Sequence, residues 1–218
     1  MANLIDEPKE WQARAALWEL AAVLGLEVRG GREEEGPGCS SSDALLGALR
    51  PEATRLFVGA PAPAVSPYEG VWRAADDGVQ ALLFVNPHSM EVERFMRACG
   101  LGRPEGTNEP LDHVATECEL MEHLALRAAG AEPPEGAPAG ADLPGGSPEA
   151  AYGAFLEGHA RAWMPRFAER VAAKSRVPFY RDAAAFLGAL VGSLSRPYGG
   201  KLADRFRIKI LTRLIRVA

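Results

Sequence analysis

The chain has 218 residues, 47% of them hydrophobic and 24% charged, the composition of an ordinary globular protein with room for one large domain or two small ones. Its net charge of −5 conceals six bases against one acid from Lys201 onward, so the body before Lys201 is more acidic than the total shows, which disfavours nucleic acid as the main partner and suits a basic peptide. No apolar run approaches the roughly 18 residues of a membrane span, and Met1 to Glu7 lacks the basic and then apolar pattern of a secretory leader, so a cytoplasmic protein is expected.

From Pro8, the apolar residues Trp11, Ala15, Trp18 and Ala22 recur at helical spacing and predict a core helix ended by Gly30-Gly31. A glycine and acid loop leads to Ser42 or Asp43 as the cap of a short helix ending near Arg50, and Pro51 starts another that carries Leu56 and Phe57. Pro61, Pro63 and Pro67 remove donors and fix φ, so Gly59 to Pro63 is expected to be extended, with Tyr68, Glu69, Val71 and Trp72 on a loop. Asp76-Asp77-Gly78 turns the chain, Val79 to Val85 is apolar, and Ser89 with Glu91 opens a helix that stops at Gly100.

Pro110 fits the first position of a central helix, with Asp112 in its first turn and Val114, Cys118, Met121 and Ala125, flanked by Leu120 and Leu124, as its apolar face. Gly130 to Ser147, rich in proline and glycine, reads as a linker. Ser147-Pro148-Glu149 is an N-cap, a first-turn proline and a favourable acid; the helix that follows reaches Trp163 and is expected to break or kink at Pro165. Pro178 opens a further helix through Leu194. With no internal repeat and no set of alternating strands, the expected fold is all-α, a single globular helical bundle over residues 1–195 with its two halves joined at 130–147. Residues 196–218 form a basic amphipathic segment: on a helix, Leu202, Phe206, Ile210 and Leu214 share one side and Lys201, Arg205, Lys209 and Arg213 the adjacent one. It would fold back on the acidic body, the preferred reading, or contact a membrane.

Chemistry concentrates at Glu109, Asp112 and His113. A carboxylate beside an imidazole suits a guanidinium ligand, acid/base work or a metal; equally, Asp112 could cap the helix while His113 pairs with Glu117. Cys39, Cys99 and Cys118 are an odd number at wide spacing, which indicates neither a disulfide framework nor a thiolate metal site. No His-x-x-x-His and no glycine-rich phosphate loop followed by Lys and Ser/Thr occurs, so neither a metal nor another cofactor is expected.

Five motifs occur in order: Arg55-Leu56-Phe57-Val58-Gly59, Pro67-Tyr68-Glu69-Gly70-Val71-Trp72, Asn108-Glu109-Pro110-Leu111-Asp112-His113, His159 with Trp163-Met164-Pro165-Arg166-Phe167, and Pro178-Phe179-Tyr180-Arg181. Through them the chain resembles the TorD/DmsD family of redox-enzyme maturation chaperones over roughly residues 45 to 195. It departs from the family at Ala53 and Pro61, where aromatics are common, and at Gly70, where serine is usual. The resemblance implies a helical domain, monomeric or exchanged between two subunits across the linker, and a non-enzymatic role. Such a protein binds the twin-arginine leader of a molybdopterin-containing oxidoreductase subunit and holds it until the cofactor is inserted. By position, Asp112 would supply charge for the leader's cations, His113 would orient the peptide or Asp112, and Leu56, Phe57 and Trp72 would wall its apolar part, with Glu109 and Tyr68 counted in the same peptide site. The competing reading is a small helical metal-dependent hydrolase built on Asp112 and His113.

Overall fold

The computed structural model describes residues 49–79, 86–102, 109–133 and 136–194. The expected helix from Pro8, the short helix from Ser42, Cys39, most of the apolar run to Val85, Asn108 and the basic segment 196–218 lie outside the described residues. Within them the fold is all-α, with no strand and one isolated antiparallel bridge between Tyr68 and His113.

Helical backbone runs through Pro51 without a restart and passes into a π-helical turn, Thr54–Val58. The expected loop at Tyr68 to Trp72 is instead the start of a helix, α1 (Glu69–Asp76), with extended Tyr68 as its N-cap. Local sequence hides this start because Tyr68 makes no side-chain cap; the capping carboxylate comes from Asp112, far along the chain. Helix α2 (Pro87–Ala98) begins earlier than Ser89 suggests. Asn86 accepts from the His88 N–H at 2.9 Å and Pro87 takes the first helical position, which leaves the Ser89 hydroxyl for other work.

The central helix, α3 (Val114–Ala128), starts four residues after Pro110, with Pro110 to Asp112 in the approach to it. His113 is its N-cap: ring Nδ1 accepts from the Ala115 N–H at 3.1 Å. Of its predicted face Val114, Cys118, Leu120, Met121 and Leu124 are buried and Ala125 half-buried, and Glu117 and Arg127 are buried with them. The proline and glycine stretch packs in its described part. Arg127 donates to the Pro138 carbonyl at 2.7 Å, two single 3₁₀ turns follow (Gly140–Asp142 and Pro144–Gly146), and Leu143 enters the core at 3% exposure.

Ser147 caps α4 (Pro148–Phe155) through the Ala150 N–H at 3.1 Å, as its spacing predicts. A π-helical turn, Leu156–Ala160, joins α4 to α5 (Arg161–Lys174), which continues through Pro165 instead of breaking. The wider π-turn ends just upstream of the Arg161 carbonyl, the one that a proline at 165 leaves without its helical donor. Helix α6 (Pro178–Ser193) returns along α5 in the most extensive helix pair among the described residues. Trp163, Met164, Phe167 and Val171 of α5 meet Phe179, Phe186, Leu187 and Leu190 of α6 in one core with Leu56, Val92, Met96 and the α3 face.

Candidate functional site

Two of the sequence motifs are tied together by the backbone. The Glu69 N–H donates to the Asp112 carbonyl and the Val114 N–H to the Pro67 carbonyl, both at 2.9 Å, which sets Tyr68 opposite His113. Because bridged residues project to the same side, the two rings meet edge to face, 5.2 Å between centroids at 75°. The Tyr68 hydroxyl then donates to exposed Glu109 at 3.1 Å. Tyr68, His113 and Glu109 thus form a continuous ledge.

Asp112 lies beneath the ledge, 1% exposed. One carboxylate oxygen accepts from the Gly70 N–H at 2.8 Å and from the Ser89 hydroxyl at 2.6 Å, and Asn86 closes the joint by donating to the Gly70 carbonyl at 2.6 Å. Burial pushes the Asp112 carboxyl up, against the pull of the Ser89 and Gly70 hydrogen bonds. Asp112 therefore caps α1 instead of its own helix and joins α1, α2 and the entry to α3. Burial also holds the His113 imidazole below its ordinary value, in keeping with an unprotonated Nδ1 that accepts the Ala115 amide. Burial first, and the Glu109 carboxylate second, push the Tyr68 phenol up to about 12, so it stays a donor.

Beside the ledge opens an apolar pocket of about 230 Å³ between the first π-turn, α5 and α6. Phe57, Val58, His113, Phe167, Phe179 and Tyr180 are among its walls. The Phe57 ring packs 6.1 Å from Phe167 and 5.9 Å from Tyr180, and Val58 stands at the wall 69% exposed. Of the residues expected from sequence, Phe57 and His113 line this pocket, and Tyr68 and Glu109 adjoin it. Leu56 does not reach the wall: the π-turn directs it wholly into the core.

Trp72 faces elsewhere. It lines a shallower groove with Val65, Arg166, Glu169 and Arg170, donates its indole N–H to the Ser66 carbonyl at 2.9 Å, and has the Arg166 guanidinium 5.9 Å above its ring. Arg166 is itself held by both oxygens of Asp76, at 2.6 and 2.7 Å.

Phe167, Phe179 and Tyr180 belong to the pocket although sequence reasoning assigned them no role. Their signal was present in the fourth and fifth motifs, which fall together here because α5 and α6 pair. Among the described residues no group of three or more His, Cys, Asp or Glu side chains is placed to hold a metal ion. A hydrolase would need Asp112 and His113 to converge on a polar cavity. Instead Asp112 is engaged by α1 and α2, and the cavity beside His113 is apolar.

The model of the family described as nitrate reductase delta subunit matches residues 9–169 of the chain. No curated protein and no solved structure matches it.

Proposed function

The chain belongs to the nitrate reductase delta subunit family, which comprises maturation chaperones of molybdoenzymes, and from that premise we propose that it binds the twin-arginine leader of a molybdopterin oxidoreductase's catalytic subunit. It does so in the cytoplasm and holds the leader back from export until the cofactor is in place. Such a leader presents guanidinium groups followed by an apolar run, so its receptor needs an accessible acid next to an apolar recess. The ledge and pocket have this pairing: exposed Glu109 lies one side chain away from His113, and His113 is part of the pocket wall. That adjacency carries the reading.

In this arrangement Glu109 takes a guanidinium as a charge-assisted hydrogen bond, with Tyr68 orienting its carboxylate. Phe57, Val58 and His113 receive one or two apolar side chains of the leader. Asp112 and Leu56 contribute from beneath, Asp112 by fixing the ledge and Leu56 by seating the π-turn that carries Phe57. Trp72, on the adjoining groove, meets a more distant part of the client. The catalytic subunit is the partner, and the role calls for no catalysis.

Calorimetric titration of synthetic twin-arginine leaders into the wild-type chain, Glu109→Gln, His113→Ala and Val58→Asp tests the proposal. Each substitution is expected to weaken binding by about tenfold, close to 1.4 kcal/mol. Glu109→Gln should also flatten the salt dependence, because it removes the exposed charge. Glu109 and Val58 are surface residues, so their melting temperatures should stay within about a degree or two of wild type. Undiminished affinity in all three variants would overturn the assignment.

A further inference from the structure

Under the ledge lies a pair of acids for which leader binding has no use. Glu69 of α1 and Glu117 of α3 are both completely buried and within hydrogen-bonding reach of each other. Glu69 has cationic or potentially cationic company: Arg73 donates to it at 3.1 Å, and His159 of the second π-turn stands 3.0 Å away with its ring stacked on Phe155. Glu117 has none. One of its oxygens accepts the Trp163 indole N–H from α5 at 3.0 Å, and the other is buried with no donor near it. Among the described residues, Asp112, itself buried, and the buried thiol of Cys118 also neighbour Glu117. From α2 and its cap come only neutral groups among the described residues: Asn86 donates to the Gly70 carbonyl, Ser89 to Asp112, and the Phe95 ring meets His159 edge to face at 6.0 Å.

Two carboxylates cannot touch in a dry core with both ionised, and an oxygen with no donor is satisfied if it is itself an O–H. We propose that Glu117 is a carboxylic acid in the folded protein, that it donates its proton in a hydrogen bond to the Glu69 carboxylate, and that this shared proton is a pH-sensitive latch beneath the Tyr68–His113 ledge. The chain of bonds is then complete: the Trp163 indole donates to Glu117, Glu117 to Glu69, and Arg73 and His159 to Glu69 as well. The latch ties α1, α3, the second π-turn and α5 at one point. Glu69 is also the residue whose N–H holds the Asp112 carbonyl, so the strain of a second charge falls on the joint that sets Tyr68 opposite His113. The inference does not depend on what the pocket binds.

The direction of the pH effect follows. Burial first, and the neighbouring Glu69 charge second, raise the Glu117 carboxyl well above its ordinary 4.5. Below 4.5 folded and unfolded chains both hold the proton, and the latch contributes in full. Between 4.5 and the raised native value only the folded chain holds it, so stability falls as pH rises through that window and levels off above it.

Infrared spectroscopy of the full-length chain at neutral pH reads the proton directly. A protonated-carboxyl C=O stretch that shifts in deuterated buffer is expected in wild type and is lost in Glu117→Gln. In Glu69→Gln the amide can donate to Glu117, so the same band should also vanish, which keeps the test decisive should Glu117→Gln fail to fold. Melting temperatures across pH give the second readout. The glutamine in Glu117→Gln keeps an acceptor for Trp163 and a donor for Glu69, so the variant should show a smaller decline of melting temperature above pH 4.5 than the one expected of wild type, with buried Asp112 supplying the remainder. A wild-type spectrum without that band, or a Glu117→Gln variant with the wild-type band or the wild-type decline, would overturn the proposal.

Discussion

At Gly70 the fold leaves no room for a side chain. A Cβ there would sit 2.3 Å from the Ser89 hydroxyl oxygen, 2.9 Å from an Asp112 carboxylate oxygen and 3.1 Å from the Asn86 side-chain carbon. The space that a side chain at position 70 would need is filled by the Ser89 hydroxyl, which donates to Asp112. Gly70 and Ser89 are thus complementary, and a departure that looks minor in sequence is tied to the joint under the ledge. Gly70→Ala is expected to cost about 1–3 kcal/mol by overpacking, measured as a lower urea midpoint at unchanged slope. Adding Ser89→Ala removes the nearest clash and should recover part of that loss, the remainder reflecting the Asp112 oxygen. A midpoint indifferent to Gly70→Ala would show that the joint is looser than these distances.

Helix starts are where element and sequence part company. Local signals place Ser147 and Pro178 correctly, since their caps or first-turn prolines act within a few residues. They miss α1, whose capping acid lies forty-two residues downstream, and they start α3 too early, because Asp112 is drawn away from its own helix and His113 caps in its place. The stretch from 130 to 147 shows the same competition. Its composition is that of a tether, yet Arg127 grips Pro138, Pro138 packs over Gly100 so closely that a Cβ there would stand 2.4 Å from its ring, and Leu143 is enclosed. An exchange of halves between subunits would have to undo these contacts. Leu143→Ala is expected to lower unfolding free energy by about 2–5 kcal/mol, in the range of core leucines. A loss under about 0.5 kcal/mol in thermal or urea unfolding would return the stretch to a simple tether.

Among the described residues, buried acids give stability opposite slopes with pH, Glu52 on one side and Glu117 with Asp112 on the other. Glu52, 6% exposed, fastens the first helical segment to the α5–α6 turn: Arg55 pairs with it at 2.8 Å, and it accepts the Arg176 N–H at 2.6 Å and the Ser175 hydroxyl at 3.3 Å. The Arg55 guanidinium, against the penalty of burial, brings its carboxyl down to about 2. A depressed native value means that the contribution is present above 4.5 and is lost as pH falls from there toward about 2. Glu117 acts with the reverse sign above 4.5, so the two limbs meet near that value. Glu52→Gln should flatten the acid limb of a plot of melting temperature against pH and leave the alkaline limb intact. A variant with an undiminished acid limb would assign acid unfolding to other groups.

The sequence by itself determined the helical class, the buried face of α3, the starts at Ser147 and Pro178, and, through five motifs in order, the family. The class, the face and the starts are properties of periodicity, local capping and composition, which act over a few residues or are additive along the chain, whereas the family rests on the resemblance of the motifs. It also marked Phe57, Tyr68, Glu109 and His113 as residues of interest. Only the tertiary structure decided that Leu56 turns inward, that Trp72 belongs to a second groove, and that Phe167, Phe179 and Tyr180 complete the pocket. It alone made Asp112 the cap of a distant helix and set Glu117 against Glu69. Whether a carboxylate is a surface charge, a cap or a buried acid depends on which donors and how much water reach it, and those come from segments tens of residues away.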